Sequence, residues 1–404
     1  MSYKKLGEFI QVVDDRNKEL LDLPLLGVSV QKVFIPSIAN TVGTDMSKYK
    51  ILSRNEFTYI PDTSRRGDKI GVALLKLYDR ALVSQAYTTF KIIDENQLNP
   101  DYLMMWFTRP EFDRYARYHS IGSVREVFDW EDLCEVELPI PSIEKQREIV
   151  AQYQAVENKI KVNEQICEKL EATAQTLYKQ WFVDFEFPNE EGQPYKSSGG
   201  AMVYNQELEK EIPEGWEVGI LKDYVTINRG ASPRPIEDYI TNSDQDMPWV
   251  KISDATAEKT DFLLSTKQFI SNSGVKKSRI VEFGDLILSN SASPGLPRIM
   301  DIKACVHDGW LIFNDYKKID KYYLIEYFKY NKQGILSEGN GSVFKNLKTD
   351  ILKEYQVIIN EEISKLFSNE VSKIYELIKN NSIKLQKLTQ LQSVLLSNLA
   401  TLEG

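Results

Sequence analysis

A few acidic residues next to turns could take part in hydrolytic chemistry. Asp62 lies near Asp68 and Lys69, an order that weakly resembles the acidic and basic residues of metal-dependent nucleases. Two-metal hydrolysis needs carboxylates that converge on the ions, and the spacing to the lysine is poor. A glycine followed by aspartate, at Gly67 and again at Gly284, is more typical of a turn that enters a strand. The sequence therefore predicts turns here and not an active site.

The other residue patterns that support catalysis or metal binding are missing from the sequence. It contains no Gly-x-x-x-x-Gly-Lys-Ser/Thr phosphate loop, and Asn99-Pro100-Asp101 is the nearest approach to the Asn/Asp-Pro-Pro-aromatic motif of adenine methyltransferases. The cysteines and histidines do not form a set with the spacing of a structural zinc site: Cys134, Cys167, Cys305, His119 and His307. We therefore expect this chain to be non-catalytic and to bind no metal or cofactor.

Basic, amide and hydroxyl side chains in turns are suited to contacts with DNA. Arginine and lysine match the groove edge of guanine, asparagine and glutamine match adenine, and phosphates accept hydrogen bonds from arginine, lysine and serine. Loop residues of these types are also often merely solvated. The candidates are Arg65, Arg66, Ser120, Ser123 and Arg125 in the first half, and Arg229, Arg234, Lys251, Asn340, Ser342 and Lys345 in the second.

The composition opposes a protein that coats DNA by charge alone. The formal net charge is -9, whereas affinity for nucleic acid rests largely on lysine and arginine. DNA binding would require a local concentration of basic residues, with further phosphate contacts made by partner subunits. Hydrophobic residues make up 42% and charged residues 27% of the chain, and no stretch of about twenty apolar residues is present. We therefore expect a protein that does not associate with membranes. We also expect it to be cytoplasmic, because Met1–Ile10 shows no export signal.

An internal duplication organises the elements that carry these candidates. Gly67-Asp68 before the apolar run from Ile70 to Leu77 is matched by Gly284-Asp285 before Leu286 to Leu288. Further on, Gly122-Ser123-Val124 recurs as Gly341-Ser342-Val343, 219 residues later, and Leu133 recurs as Leu352 at the same spacing. In both halves a run typical of a strand and then a long helical segment follow. The earlier part of each half alternates short Val/Ile/Phe/Tyr-rich runs with turns. We therefore predict two mixed α/β domains in tandem, each followed by a long helix.

Both helical segments carry apolar residues at alternating spacings of four and three, the pattern of a coiled coil. In the first segment the seam is Ile149, Tyr153, Val156, Ile160, Asn163, Cys167, Leu170, Ala174, Leu177 and Trp181. In the second it is Phe367, Val371, Ile374, Ile378, Asn381, Leu385, Leu388, Gln392, Leu395 and Leu399, with each position 218 residues beyond its counterpart. The matched seams, with an asparagine at the same step, predict that the two helices pack on each other.

An antiparallel pairing would relate the halves by a pseudo-twofold axis, and a helix of about 33 residues spans roughly 50 Å. We expect the following segments: a first α/β domain at 1–141, a long helix within 142–187, a linker at 188–211, a second α/β domain at 212–360 and a second long helix within 361–404. Proline and glycine are frequent in the linker, which favours turns and loops.

The junction between the halves resembles that of a known family. Leu177 to Phe185 reads Leu-Tyr-Lys-Gln-Trp-Phe-Val-Asp-Phe, and it is followed by Tyr-Lys-Ser-Ser-Gly-Gly at 195–200 and Ile-Pro-Glu-Gly-Trp at 212–216. Trp-Val-Lys-Ile-Ser-Asp at 249–254 and Pro-Ile-Pro-Ser-Ile-Glu-Lys-Gln at 139–146 agree as well. Over essentially the whole chain, this order is similar to that of the specificity subunits of type I restriction-modification systems.

That resemblance implies a subunit for DNA recognition in phage defence. Each globular domain would read one half of a bipartite site in double-stranded DNA. The helices would set the length of the spacer between the two half-sites and dock two methyltransferase subunits. Two restriction and translocation subunits would complete the endonuclease complex. S-adenosylmethionine, ATP and Mg would be bound by these partners, which carry out adenine DNA methylation or cleavage.

Two other classes of function remain open from the residues alone. An enzyme with its own active site would show methyl transfer or cleavage by the isolated chain. A coiled-coil scaffold without DNA recognition would suit the acidic charge, and sequence-selective DNA binding by the assembled complex would distinguish it from a recognition subunit.

Overall fold

The computed structural model describes residues 3–38, 43–64, 69–120, 126–337 and 346–401. The chain forms two compact units, one comprising residues 1–160 and 388–404 and the other residues 161–387. Each unit contains one α/β domain and a stretch of both long helices.

The described residues of the first domain form ten short strands and three α-helices. The strands are β1 (Tyr3–Lys5), β2 (Ile10–Val12), β3 (Leu25–Val28), β4 (Phe34–Pro36), β5 (Lys50–Ser53), β6 (Phe57–Tyr59), β7 (Val72–Leu74), β8 (Arg80–Val83), β9 (Thr88–Ile92) and β10 (Glu137–Pro139). The helices are α1 (Pro100–Thr108), α2 (Pro110–His119) and α3 (Trp130–Cys134), and the long helix α4 (Ile143–Phe182) follows. The strands form sheets of order β2-β9-β6-β7, β4-β3-β8-β5 and β1-β10.

The second domain contains more strands. They are β11 (Met202–Asn205), β12 (Lys210–Pro213), β13 (Glu217–Ile220), β14 (Thr226–Arg229), β15 (Ile240–Thr241), β16 (Met247–Val250), β17 (Phe262–Leu263), β18 (Gln268–Ile270), β19 (Arg279–Val281), β20 (Leu286–Ser289), β21 (Pro297–Met300), β22 (Ala304–Val306), β23 (Trp310–Asn314) and β24 (Gln356–Ile359). The helices are α5 (Leu221–Tyr224), α6 (Ile252–Ala257), α7 (Asn272–Val275), α8 (Lys321–Ser337) and α9 (Thr349–Lys353), followed by the long α10 (Glu361–Asn398).

The strand order of the first domain is repeated in the second. The sheets there are β14-β23-β20-β21-β17, β15-β18-β16-β22-β19, β13-β24 and β11-β12. Each strand from β1 to β10 has a counterpart met in the same chain order, and the one parallel pair of the first domain, β3 with β8, recurs as β16 with β22. Strands β15 and β17 and the β11-β12 hairpin are additions in the second domain. The mixed α/β duplication predicted from the sequence is therefore confirmed.

The helix that follows β9 in the first domain and the helix that follows β23 in the second are started and anchored in the same way. The side chain of Asn99 accepts hydrogen bonds from the backbone N–H groups at the start of α1, and Asp320 does so for α8. Both residues are favourable N-caps because their oxygens satisfy donors that have no partner within the helix. Three residues later, the hydroxyl of Tyr102 donates to the carbonyl of Pro139 at 2.9 Å, and Tyr323 donates to Ile358 at 3.3 Å.

Gly284, a landmark of the repeat, is equivalent to a different residue of the first domain from the one that the sequence predicts. Gly284, at φ +85°, occupies the turn between β19 and β20, and the equivalent turn between β5 and β6 holds Asn55 at φ 67°. Both residue types tolerate this left-handed backbone. Gly284 therefore corresponds to Asn55, and the match with Gly67 was wrong; Gly67 and Asp68 lie outside the described residues.

The segment expected to be a linker is folded within the second unit. It contains β11 and the beginning of β12, and the ring of Phe187 stacks on Tyr195 with centroids 4.5 Å apart. Ile212 and Trp216, which follow, are buried in the core of the same unit. Turn-forming residues at 188–211 thus shape a compact connection.

The two long helices pack against each other and run in opposite directions. In the first unit, the side-chain amide of Gln392 donates to the hydroxyl of Tyr153 at 3.1 Å, and Leu399 shares a core with Val150 nearer the start of α4. In the second unit, Phe367 near the start of α10 lies 5.1 Å, between ring centroids, from Phe182 at the end of α4. The expected antiparallel helix pair is therefore confirmed.

Side chains at the proposed seam positions are all buried or partly buried. Asn163 is only 4% exposed, whereas Asn381 is partly exposed and its amide donates to the carbonyl of Leu377 in its own helix. The adjacent Ser382 takes the interior position, where its hydroxyl lies 2.7 Å from that of Thr260. The two asparagines are thus not equivalent. In the second unit Ser382, the residue after Asn381, takes the interior position because Thr260 offers it a hydrogen-bond partner.

Candidate nucleic-acid interface

Three of the basic candidates surround one turn of the second domain. Arg229 ends β14, and the pairing of β14 with β23 brings it beside the turn at Asp308 that joins β22 to β23. Its Nε donates to the carbonyl oxygen of Asp308 at 2.7 Å. A guanidinium nitrogen of Arg229 and one of Arg234 each lie 3.9 Å from the Asp308 carboxylate.

Gly230 lies in close backbone contact with the turn at Asp308, where there is no room for a side chain. A Cβ atom at Gly230 would lie 2.1 Å from the carbonyl oxygen of His307, so a larger residue would displace one of the two segments. The backbone N–H of Gly230 donates to Trp310, and that of Ala231 donates to Val306. The loop that carries Arg234 is therefore fixed at its start by the sheet.

Lys251 approaches the same turn from the end of β16. It is exposed, and its backbone N–H donates to the side chain of Asp254 at the start of α6. Burial lowers the pKa of His307, the carboxylate of Asp308 opposes this, and the charge of Lys251 lowers the pKa further. Because the Nδ1 atom of His307 accepts from Gly309 at 2.8 Å, the neutral imidazole keeps its proton on Nε2.

Asp308 is ionised at the centre of this group. Partial burial opposes ionisation, but the hydrogen bond from Ser232 and the charge of Arg229 lower the pKa of Asp308. We call Arg229, Arg234, Lys251 and Asp308 the basic turn cluster. Three cations against two carboxylates, those of Asp308 and of Asp254 beside Lys251, leave a positive excess on a chain that is acidic overall.

The cations of the basic turn cluster remain available to a ligand. The side chains of Arg229 and Arg234 are 59% and 85% exposed, and exposed ion pairs contribute only about 0.2–1 kcal/mol. A phosphate or the edge of a guanine could replace Asp308 as their partner, because a guanidinium binds both bidentately.

Asn290, which the sequence did not single out, connects this cluster to a second candidate segment. Its side-chain amide donates to the backbone carbonyl oxygen of Asp308 at 3.3 Å, and its backbone carbonyl oxygen accepts from the backbone N–H of Leu347 at 2.6 Å. Ser291 forms a β-bridge with Asn346. The chain that leaves Lys345 therefore lies beside the turn at Asp308. Only the folded sheet shows this, since Asn290 is an ordinary residue at the end of a buried strand.

The first domain makes the corresponding connection. Asp62 forms a β-bridge with Val127, and the hydroxyl of Thr63 donates to the carbonyl of Glu126 at 3.1 Å. These residues flank the predicted contacts around Arg65 and Arg125. Ser120 caps the end of α2, where its hydroxyl donates to the carbonyl of Ala116 at 2.7 Å. The remaining candidates lie outside the described residues: Arg65, Arg66, Ser123, Arg125, Asn340, Ser342 and Lys345.

None of the helices within the described ranges is long and apolar enough to span a membrane. The geometry thus defines a protein with two related α/β domains, an antiparallel pair of long helices, and an exposed basic turn suited to a polyanion.

Comparison with known proteins agrees with this class. The family model described as the type I restriction modification DNA specificity domain matches residues 4–172 and 213–389. The MjaIX specificity subunit of Methanocaldococcus jannaschii, a type I restriction enzyme subunit, is 30% identical over 321 residues, which cover 76% of this chain and 70% of that protein. The HindI specificity subunit of Haemophilus influenzae is 24% identical over 385 residues, with 77% and 79% covered.

A solved structure supports the fold. The type I restriction-modification S subunit from M. genitalium superposes with a TM-score of 0.57 at 13% identity, covering 100% of this chain and 96% of that one. The chain belongs to the type I restriction modification DNA specificity family. It is therefore a DNA-recognition subunit, and the alternative of a coiled-coil scaffold without DNA recognition is not supported.

Proposed function

We propose that this chain reads a bipartite DNA site, one half with each α/β domain. The repetition of the ten-strand topology, each time followed by a long helix, is the observation that carries the proposal. Two copies of one architecture can address two similar half-sites in the same manner. We assign recognition to 1–141 and 212–360, spacing to helices within 142–187 and 361–404, and the connection to 188–211.

In the second domain, the basic turn cluster would meet the DNA. Arg229 and Arg234 carry planar guanidinium groups that can bind guanine or phosphate, whereas Lys251 supplies a point charge suited to a phosphate. The segment that leads to Lys345 would contribute from the side of Asn290. By the repeated topology, the segments that carry Arg65, Arg66, Ser123 and Arg125 would act in the first domain.

The long helices would set the spacer between the half-sites. The structure gives them 40 and 38 residues. The seam positions that we assign to this role are Ile149, Val156, Ile160, Asn163, Leu170 and Leu177 in α4, and Ile374, Ile378, Asn381, Leu388 and Leu395 in α10. Their mutual packing would keep the helix pair straight enough to work as a ruler.

Catalysis would belong to the partners. Two methyltransferase subunits would dock on the duplicated framework, and two restriction and translocation subunits would join them. S-adenosylmethionine, ATP and Mg would be bound by those chains, which would also add phosphate contacts that a chain of net charge -9 does not provide alone. The complex would act in the cytoplasm, where the DNA is.

Co-expression with a methyltransferase subunit of the same restriction-modification system would test this proposal. Single-molecule sequencing of the host DNA would then report methylated adenines. We expect methylation confined to one motif of two short half-sites with a fixed spacer, and none when this chain is omitted. A stable complex that methylates no split motif would contradict the proposal.

A further inference from the structure

A network of buried charges occupies the second unit, away from the basic turn cluster. Asp261, which precedes β17, is 3% exposed, and Glu326 in α8 is fully buried. The hydroxyl of Tyr375 in α10 lies 2.5 Å from Oε1 of Glu326 and 3.1 Å from Oδ2 of Asp261. Lys329 forms an ion pair with Asp261 and lies 3.6 Å from Glu326.

The same network reaches the other long helix. Oε1 of Glu171 in α4 accepts a hydrogen bond from the backbone N–H of Asp261 at 3.1 Å. The side-chain amide of Gln175, one turn further along α4, donates to the carbonyl oxygen of Glu326 at 3.2 Å. Arg298 in β21 places a guanidinium nitrogen 3.9 Å from Asp261. Both helices and the recognition domain of this unit therefore meet at one polar centre.

The hydroxyl of Tyr375 links the members of this network. Its single proton can be donated to only one of the two carboxyl groups that it contacts, and the nearer oxygen is Oε1 of Glu326. The Tyr375 oxygen accepts a hydrogen bond from the ammonium group of Lys329 at 3.2 Å. Lys329 in turn lies within ion-pair distance of both Asp261 and Glu326.

The equivalent place in the first unit is arranged differently. The connection from β3 to β4 covers only residues 29–33, whereas that from β16 to β18 covers residues 251–267 and includes β17. Thr108 lies as many residues after the N-cap Asn99 of α1 as Lys329 lies after the N-cap Asp320 of α8, so the two positions are equivalent. A cavity of about 240 Å³ lies there, lined by Lys32, Met104, Thr108, Tyr153 and Glu157 among others.

We propose that Asp261, Glu326, Lys329 and Tyr375 are positioning residues that hold the second recognition domain at one angle to the helix pair and so restrict the spacer length. The inference rests on the proposed reading of a bipartite site. A buried ionic network favours one arrangement, because any rotation that breaks it leaves a charge without a partner. The first domain, with a cavity at the equivalent place, lacks this restraint among its described residues.

Three substitutions within the network separate positioning from general stability. Asp261→Asn leaves the buried ammonium of Lys329 without its main counter-charge, and Tyr375→Phe removes one hydroxyl that joins α10 to the domain. Glu326→Gln should be tolerated, because the amide oxygen of glutamine can still accept the hydrogen bond from Tyr375. Tyr330→Phe, at a 41% exposed tyrosine of α8, is the matched control.

The experiment uses the complex with the methyltransferase subunit and a set of DNA substrates. The substrates carry the two half-sites with the preferred spacer or with one base pair more or fewer, and the methylated fraction is measured for each. We expect Asp261→Asn and Tyr375→Phe to increase relative methylation at the altered spacers severalfold, with unchanged half-site bases. Glu326→Gln and Tyr330→Phe should match the wild type.

Two outcomes would overturn the inference. One is a wild-type spacer preference in an assembled Tyr375→Phe complex, and this variant decides the question if Asp261→Asn does not assemble. The other is a Glu326→Gln complex as defective as Asp261→Asn, since glutamine keeps the acceptor for Tyr375 and Asp261 remains as the counter-charge of Lys329. A wild-type complex without any split motif would instead refute the proposed function.

Discussion

Arg229 is held against Asp308 by a 2.7 Å hydrogen bond from its Nε to the Asp308 carbonyl oxygen. This bond orients the guanidinium group while its two terminal nitrogens remain available, so the arginine is positioned before any ligand arrives. Preorganisation of this kind reduces the entropy lost on binding.

Replacing Arg229 or Arg234 by alanine should impair reading of the second half-site. Loss of a bidentate base contact costs about 1–3 kcal/mol, and loss of a phosphate contact weakens binding without a change of sequence preference. Binding of the assembled complex to DNA with substitutions in either half-site would measure both effects. Arg279→Ala, at an exposed arginine of β19, serves as the control, and an equal loss at both half-sites would count against the assignment.

Asp308→Asn should strengthen binding to non-specific DNA. The change removes the carboxylate that competes with phosphates for Arg229 and Arg234, and it increases the positive excess of the basic turn cluster. The expected result is a higher affinity at low salt and a steeper decrease in affinity as salt is raised. Titrations of the complex with unrelated DNA at several salt concentrations would test this, and an unchanged salt dependence would exclude Asp308 as a competitor.

Arg125→Ala should weaken reading of the first half-site and leave the second intact. Arg125 lies outside the described residues, but Glu126 next to it is joined to Thr63 in the first domain. Methylation of substrates altered in one half-site at a time provides the measurement. No loss, or the same loss at both half-sites, would contradict the prediction.

Inserting four residues into α4 or α10 should change the preferred spacer or prevent assembly. Four residues add about 6 Å to a helix, close to two base pairs at roughly 3.4 Å each. They also interrupt the heptad as a stutter. An insertion of seven residues lengthens the helix without breaking the heptad, so it serves as the control for loss of register. Sequencing of methylated host DNA would report the new spacer, and an unchanged spacer would refute the role of the helices as a ruler.

Glu171 should make the second unit less stable as the pH rises. Burial, followed by the charge of Asp261, raises the pKa of Glu171 from 4.5 to about 7. Between these values the folded chain holds a proton that the unfolded chain has released, so the free energy of unfolding falls as the pH increases through this range.

Thermal melting of the wild type and of Glu171→Gln would test this pH dependence. Glutamine cannot ionise, so the variant should gain stability relative to the wild type as the pH rises from about 5 to about 8. A constant difference between the two proteins over that range would show that Glu171 does not take up a proton on folding.

Periodicity and repetition were sufficient to predict the framework of this protein. The four-and-three spacing from Ile149 to Trp181 and from Phe367 to Leu399 predicts long helices with matching faces, because the helical period alone determines which side chains share a face. The repeated Gly-Ser-Val segments predicted the duplication. The sequence carries this information because a helix depends on residues that are close along the chain, and a repeat is found by comparing two segments without knowing how they pack.

The tertiary structure alone decided which residues meet at the sites. Arg229, Lys251 and Asp308 come together because β14, β16 and β22 end at the same turn, and Asn55 proved to be the counterpart of Gly284. Asp261 and Tyr375 likewise meet across more than a hundred residues. Such contacts depend on the pairing of distant strands and on the length of the connection that contains β17, and no local pattern encodes either. The physical reason is that side-chain spacing is fixed within an element, whereas proximity between elements is a property of the whole packed unit.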